Sequence, residues 1–189
     1  MPEASSGEAE EEVISEAIYT QEEIATSPLV ISNKKNLHDY FVDDFATLFF
    51  TEGKYVQQRL RIVGPVRLRT IHTKEQECRF KTDLSKCYYS SMADANLYKE
   101  DIDGVKFTTC EENMISHSIK GENAMFGCQG YVVDAYPNEN TPEEFADLID
   151  SHLDVLFGDR ARGMNIEMTM YLPRADWWIY VQILYEYGI

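Results

Sequence analysis

The cysteines are the first residues whose type and spacing offer chemistry. The chain of 189 residues contains four of them, Cys78, Cys87, Cys110 and Cys128. No pair has the CxxC spacing, and no histidine stands where a zinc finger needs one, so a zinc site is not expected. Four cysteines allow three pairings. The residues alone leave two interpretations open: two disulfides in an oxidising compartment, or four buried thiols in the cytosol.

The other residue types capable of catalysis are scattered along the chain. The sequence contains no GxSxG, Walker, GxGxxG or HExxH motif. The four histidines, His38, His72, His117 and His152, do not cluster. His152 lies on the apolar face of a predicted helix, where a core histidine is a simpler interpretation than a ligand. We therefore expect neither an enzyme nor a bound cofactor.

Two further features could hold a metal ion, but each has a simpler interpretation. Asp101 and Asp103 precede Gly104 as in a calcium loop, yet an EF-hand needs a third ligand before the glycine and a glutamate where Cys110 stands. A polar turn is the preferred interpretation. The three methionines of segment 164–170 would suit a soft metal, but methionine usually fills gaps in a core.

The net charge of −16 is unevenly distributed. Residues 1–24 hold eight glutamates and no Lys or Arg. We predict an acidic, disordered tail over residues 1–31 and a folded domain over residues 32–189. The acidic balance argues against binding nucleic acid or anionic lipid.

The apolar run Trp177–Tyr187 is too short to span a bilayer, and no signal peptide is recognised, so the sequence as given predicts a soluble polypeptide.

Two segments have the pattern of amphipathic helices. Asn36 is the predicted N-cap of the first, with Gly53 as its predicted end. Its apolar face comprises Leu37, Phe41, Phe45, Leu48 and Phe49. The second helix covers residues 142–157, where Thr141 and Glu144 form a capping box. Its apolar face comprises Phe145, Leu148, Ile149, His152, Leu153 and Leu156.

The remaining apolar runs predict a sheet. Val66–Thr73 and segment 164–171 alternate apolar with polar residues, so each predicts a strand with one polar face. Shorter strand-like runs lie between Gly104 and Asp134. The last run, Trp177–Tyr187, is apolar on both faces and predicts a central strand that forms a hairpin with segment 164–171. The order of elements predicts an α+β fold with a mainly antiparallel β-sheet and two packed α-helices.

Charged side chains on the predicted strands could pair across the sheet. Arg67 and Arg69 share one face of their strand, and Glu167 alternates outward from a neighbouring candidate strand. Opposite charges on adjacent strands can form a ladder. The sequence leaves open whether this face is covered by solvent or contacts another subunit.

One segment carries a resemblance to a known family. Val63–Cys78, "VGPVRLRTIHTKEQEC", resembles the Gly-Pro-Arg-hydrophobic-Arg strand of the polycystin domain of polycystin cation channels, which leads to the first cysteine of a stapled loop. The matching residues are Gly64, Pro65, Arg67, Leu68 and Arg69. The segment "LSKCYYSS" resembles the one that carries the second cysteine. The resemblance implies a long disulfide-stapled loop closed by Cys78 and Cys87, and Cys110 and Cys128 look like an additional pair.

A second segment extends this resemblance towards the end of the chain. Residues 159–188 are similar to the final helix end, arginine-containing turn, hairpin and closing strand of the same domain, with matches at Arg162, Tyr171 and Glu186. "GYVVDA", Gly130–Ala135, resembles the strand before the long helix. The sequence departs from the family in having no Asn-x-Ser/Thr sequon.

The resemblance implies an extracellular or lumenal domain located between the first and second transmembrane helices of a TRP-like, calcium-permeable class of channel. Four copies would cover the pore, and contacts with other polycystin subunits would hold a homo- or heterotetramer and couple to gating. The domain would lie at the extracellular or lumenal face of a membrane, which could be that of a cilium or flagellum. Its only attachment to that membrane would be through transmembrane segments that this chain does not contain. The alternative is a stand-alone secreted or surface module of the same fold that binds proteins without a channel.

Overall fold

An antiparallel sheet packed against two helical segments forms the fold of the computed structural model. The residues described are 33–51, 55–56, 59–78, 86–113 and 116–187, all within the compact unit Ile31–Ile189. The predicted acidic tail, residues 1–31, and the predicted helix end at Gly53 lie outside the described residues. The α+β class with a mainly antiparallel sheet, few helices and two disulfides is confirmed.

The first helical segment begins one turn earlier than predicted. It consists of α1 (Lys34–Tyr40), a π-helical turn (Phe41–Phe45) and α2 (Ala46–Phe50). Asn33 is the N-cap, because its side-chain oxygen accepts the backbone N–H of Asn36 at 2.9 Å. The predicted cap at Asn36 is therefore wrong, and Asn36 is the donor in this cap.

The π-helical turn changes which side chains the first segment buries. A π turn holds more residues per turn than an α turn, so the residues that follow it are rotated relative to an unbroken α-helix. Phe41, Phe45 and Phe49 are buried as predicted, and Phe50 is buried beside them. Leu48, predicted to lie on the apolar face, is 44% exposed.

The second helical segment forms as predicted at its start and breaks near its end. α3 (Pro142–Ser151) carries the full capping box between Thr141 and Glu144. His152 then leaves helical geometry at φ −121° and ψ 29°, and α4 (Leu153–Phe157) follows. This break rotates the last turn, so Leu153, predicted to be buried, is exposed.

The main sheet contains six strands in the order β10-β9-β2-β8-β5, with β1 also paired to β2. Its strands are β1 (Tyr55–Val56), β2 (Leu60–His72), β5 (Phe107–Thr108), β8 (Gly130–Ala135), β9 (Ala161–Leu172) and β10 (Trp177–Glu186). Two small hairpins pair β3 (Glu75–Gln76) with β4 (Cys87–Tyr88) and β6 (Ile119–Lys120) with β7 (Met125–Phe126). The predicted β9–β10 hairpin is confirmed, but β10 is an edge strand and not a central one.

The helices cover one face of the sheet, which we call the helix face. Phe145 stacks on Phe50 with ring centroids 4.3 Å apart, and both belong to a buried cluster with Leu68 and Ile166. Met164 and Met168 also lie in this core, which supports the packing interpretation of the methionines. The helix face therefore contains the main hydrophobic core.

The opposite face of the sheet, which we call the loop face, is covered over much of its area by residues 107–113 and 116–130, which we call the covering loop. Ile71, Leu97 and Phe126 form a second small core there. The ring of Phe126 lies so close to Gly163 that a Cβ at this position would come within 2.6 Å of it. Because of this cover, β9 is buried on both faces over most of its length, and the predicted polar face is not solvated.

Asp103 and Gly104 form a tight turn and not a calcium loop. They have φ of 49° and 81° and connect the bridged residues Ile102 and Val105, as in a two-residue turn with left-handed central residues. Among the described residues, no group of three or more His, Cys, Asp or Glu side chains could hold a metal ion. No helix in the described part of the chain is long and apolar enough to cross a membrane.

Candidate functional site

Gly64 and Pro65 form an irregularity in the middle of β2. Gly64 adopts φ 83°, and the register of β2 against β9 shifts between Val63 and Arg67. Glycine tolerates this conformation, and proline has no N–H to leave unpaired at such a bulge. A cavity of about 220 Å³ opens beside it on the loop face, with Tyr180 in its wall.

Arg67 forms a two-pronged ion pair with Asp134 on the neighbouring strand. Its Nε and Nη2 atoms donate to the two carboxylate oxygens, each at 2.7 Å. The hydrogen bond to Asp134 raises the pKa of Arg67 above its already high value. Both side chains are partly exposed, so this pair fixes strand alignment more than it stabilises the fold.

Arg69 is buried beneath a loop of the same chain, whereas the sequence left open only solvent or another subunit as the cover of this face. Its Nη2 donates to Glu167 Oε1 at 2.6 Å, and the guanidinium is inaccessible to solvent. Glu167 also accepts hydrogen bonds from Ser116 Oγ at 2.6 Å and from Asn165 Nδ2 at 2.5 Å. The predicted pairing of arginine with Glu167 across the sheet is thus present, as a buried cluster in which most polar atoms have partners.

The covering loop provides the remaining hydrogen-bond acceptors of Arg69. Its guanidinium donates to the carbonyl oxygens of Gly127 and His117, the latter at 3.0 Å. No local sequence signal marks these loop residues as partners, since any residue provides a backbone carbonyl. Sequence reasoning therefore missed the part that Ser116, Gly127 and His117 play in the cluster.

A disulfide between Cys110 and Cys128 closes this loop. The two Cα atoms lie 5.0 Å apart across a separation of 18 residues. Gly130 follows it at φ 149°, and a Cβ there would lie 2.4 Å from the carbonyl oxygen of Thr70. Only a glycine allows the backbone to approach β2 this closely.

The second disulfide joins Cys78 and Cys87, as the resemblance implied. Their Cα atoms lie 5.2 Å apart, next to the paired residues of the β3–β4 hairpin. Tyr88 in this hairpin lies under the guanidinium of Arg162, at 5.1 Å from the ring centroid. Arg162 is itself buried and donates to the carbonyl oxygens of Arg160 and Asp159. It therefore anchors the hairpin to the start of β9.

Tyr171 and Glu186 stabilise the two ends of the β9–β10 hairpin. The Tyr171 hydroxyl donates to Asp176 at 2.9 Å in the connecting turn, and its ring packs on Trp178 at 4.9 Å. The Glu186 carboxylate accepts the backbone N–H groups of Glu122, at 2.7 Å, and Asn123, at 3.0 Å. These two matched residues therefore hold the ends of the hairpin through structural contacts.

A polar cavity of about 430 Å³ lies between the β3–β4 region and α4, with His72 in its wall. His72 Nε2 lies 2.7 Å from the carbonyl oxygen of Val155. A carbonyl only accepts, so Nε2 carries the proton and Nδ1 is an acceptor. Burial lowers the pKa of His72 to about 4, so this ring is neutral near pH 7. No Ser, Thr or Cys side chain lines the described wall of this cavity.

A serine–histidine contact occurs where α3 ends, but its geometry is that of a helix terminus. Ser151 Oγ lies 2.9 Å from both His152 Nδ1 and the carbonyl oxygen of Leu148. His152 Nδ1 lies 2.8 Å from the same carbonyl. His38 is separate and contacts Asp150 at 2.8 Å. Although partial burial opposes it, hydrogen bonds to Asp150 and Asp39 raise the pKa of His38.

The edge strand β10 carries the largest exposed aromatic side chains of the described residues. Trp177 and Trp178 are 65% and 64% exposed, and Tyr180 and Ile183 are exposed as well. Large exposed apolar side chains on one element mark a surface that contacts another molecule. Comparison with known proteins adds no assignment, because no family model and no curated protein matches the chain at a significant level.

Proposed function

We propose that this chain is the extracellular or lumenal domain of a polycystin-type cation channel, in which it contacts other channel subunits and couples to gating, and that it is not an enzyme. One observation carries the proposal. β2 runs from the Gly64–Pro65 bulge through two paired arginines and is followed by the disulfide-bonded hairpin of Cys78 and Cys87. This is the order of features that the resemblance implied.

The physical character of the domain suits an element that transmits position. Two disulfides close segments of about ten to twenty residues, and each contributes roughly 3 kcal/mol in the chain-entropy model. The buried pair of Arg69 and Glu167 ties the covering loop to the central strands. A domain held by these disulfides and this ion pair would move as one body, as coupling to channel gating requires.

The two disulfides support an oxidising location. In the proposal this is the extracellular or lumenal side of a membrane, and the membrane-spanning helices belong to polypeptide outside this sequence.

The experiment that tests the proposal is the isolation of the native protein. An antibody against this chain, applied to cells that express the gene, should detect a polypeptide much larger than 21.8 kDa that stays in the membrane after alkaline carbonate extraction. The transcript should encode hydrophobic helices on both sides of this segment. A protein of about this mass that is released into the soluble fraction would refute the channel assignment.

One observation favours the alternative of a stand-alone binding module. The exposed aromatic side chains of β10 provide a contact surface that needs no channel. The same experiment separates the two functions, since a module without membrane helices is recovered from the medium or is released by carbonate.

A further inference from the structure

We propose that β10 is a self-association surface, and that it pairs antiparallel with β10 of a second copy of this chain to join two sheets into one. This inference does not depend on the channel assignment. A two-fold contact joins two copies and cannot close a ring of four. In a tetrameric channel, this contact would therefore join copies that belong to different rings. In a stand-alone module, it would form a dimer.

The first argument is that this sheet edge is unprotected. Natural edge strands avoid pairing with other chains by being short, by carrying Lys or Pro, or by containing a bulge. β10 pairs with β9 over ten residues without a register shift, and the sequence Trp177–Glu186 contains neither Lys nor Pro. Among the described residues, no strand pairs with its outer edge.

The other sheet edges show the contrast. β5 and β1 each contain two residues, so they offer too few backbone groups to bind a long strand. The protein therefore limits pairing at these edges and leaves it possible at β10 alone among the edges of the main sheet that the structure describes.

The second argument is that the exposed apolar side chains are confined to the half of β10 that a two-fold pairing would cover. Trp177, Trp178, Tyr180 and Ile183 are 65%, 64%, 42% and 39% exposed. All four lie within residues 177–183, a span that is symmetric about Tyr180. Towards the chain end, the Glu186 carboxylate binds the covering loop, which makes that part less available.

The third argument is chemical self-complementarity, which selects a second copy over other occupants. In antiparallel pairing centred on Tyr180, residues of the same face lie opposite each other. The resulting pairs between the two copies are Tyr180 with Tyr180, Ile179 with Val181, Trp178 with Gln182, and Trp177 with Ile183. No charged side chain occurs in this span, so two copies meet without like-charge repulsion at the contact.

The exposed area is sufficient for a specific contact. From typical aromatic side-chain areas, the surface left in solvent by these four residues is about 450 Å² per copy, so a dimer buries roughly 1,000 Å² with the strand backbone. This is the lower limit of specific interfaces, so we expect a reversible dimer and not an obligate one.

The test is the oligomeric state of the full chain produced in an oxidising compartment. Sedimentation velocity and light scattering across the micromolar range should show a concentration-dependent dimer of twice the 21.8 kDa chain mass. Ile183→Lys places a charge in the contact and should weaken the dimer about tenfold or more. The control, Leu153→Lys, changes a similarly exposed apolar residue on α4 and should leave the dimer unchanged.

A second measurement decides the register and does not rely on a destabilising change. Tyr180→Cys should form a disulfide between two copies under mild oxidation, because the residue lies opposite itself, whereas Leu153→Cys should not. The proposal is overturned if the chain is monomeric at every concentration, if the folded Ile183→Lys variant dimerises as the wild type does, or if Tyr180→Cys cross-links no better than Leu153→Cys.

Discussion

Arg69 and Glu167 form a solvent-inaccessible ion pair, 2.6 Å apart, between the two central strands of the sheet. Strands β2 and β9 supply the two charges, and the covering loop supplies the hydrogen bonds that neither strand can provide. The pair therefore links the sheet to the loop that the Cys110–Cys128 disulfide closes.

Removing one partner of this pair should be strongly destabilising. Arg69→Met leaves the Glu167 carboxylate buried without its countercharge, which costs about 3–5 kcal/mol. The double variant Arg69→Met/Glu167→Leu should cost less than the sum of the single variants, with a coupling energy of about 1–3 kcal/mol. Urea unfolding of the four proteins measures this directly.

The partly exposed pair of Arg67 and Asp134 is the matched control. The same cycle with Arg67→Met and Asp134→Leu should give a coupling energy of about 1 kcal/mol or less, because solvent screens this pair. Equal coupling energies in the two cycles would contradict the role assigned to burial.

Gly130 should not tolerate a side chain. Gly130→Ala places a Cβ 2.4 Å from the Thr70 carbonyl oxygen at φ 149°, so we expect a loss of about 2–3 kcal/mol or more. Gly127→Ala is the control, since its Cβ would meet nothing nearer than 3.7 Å, and its cost should stay within about 1 kcal/mol. Thermal unfolding compares them, and similar costs for the two variants would argue against the close crossing.

The two disulfides should protect different parts of the molecule. In the chain-entropy model each contributes about 3 kcal/mol, but Cys78–Cys87 closes a hairpin apart from the main sheet, whereas Cys110–Cys128 closes the loop that binds Arg69. Cys110→Ser/Cys128→Ser should therefore increase hydrogen exchange over residues 116–130. Cys78→Ser/Cys87→Ser should increase it around β3 and β4, and the reverse pattern would count against this assignment.

His72 should make the fold less stable in acid. Its pKa is lowered by burial from 6.5 to about 4, so below pH 6.5 the unfolded chain takes up a proton that the folded chain excludes. Stability from this residue is complete above pH 6.5 and is lost as the pH falls towards 4, by about 3 kcal/mol. Unfolding of His72→Gln over this pH range should show a smaller decrease than the wild type, and an equal decrease in the two proteins would contradict this role of His72.

The parts of the fold that the sequence predicts are those set by local chemistry. The Thr141–Glu144 capping box and the strand over segment 164–171 follow from the order of neighbouring residues, and both are present. The π-helical turn that exposes Leu48 has no comparable local signal.

The parts that the sequence does not predict depend on strand order and on distant partners. The apolar run Trp177–Tyr187 has the pattern of a central strand, but the position of β10 at the edge follows from the order of all the other strands. Likewise, the burial of Arg69 requires a partner 98 residues away and a loop that covers both. Such long-range relationships leave no trace in the spacing of one segment.

The central claim is that this domain assembles with other channel subunits above a pore. Its most direct test is the mass and symmetry of the native complex, purified from membranes through a tag on this chain and imaged as single particles. The account predicts four copies of the domain arranged around one axis above a membrane-embedded density. A single copy, or a complex with no membrane-embedded part, would contradict it.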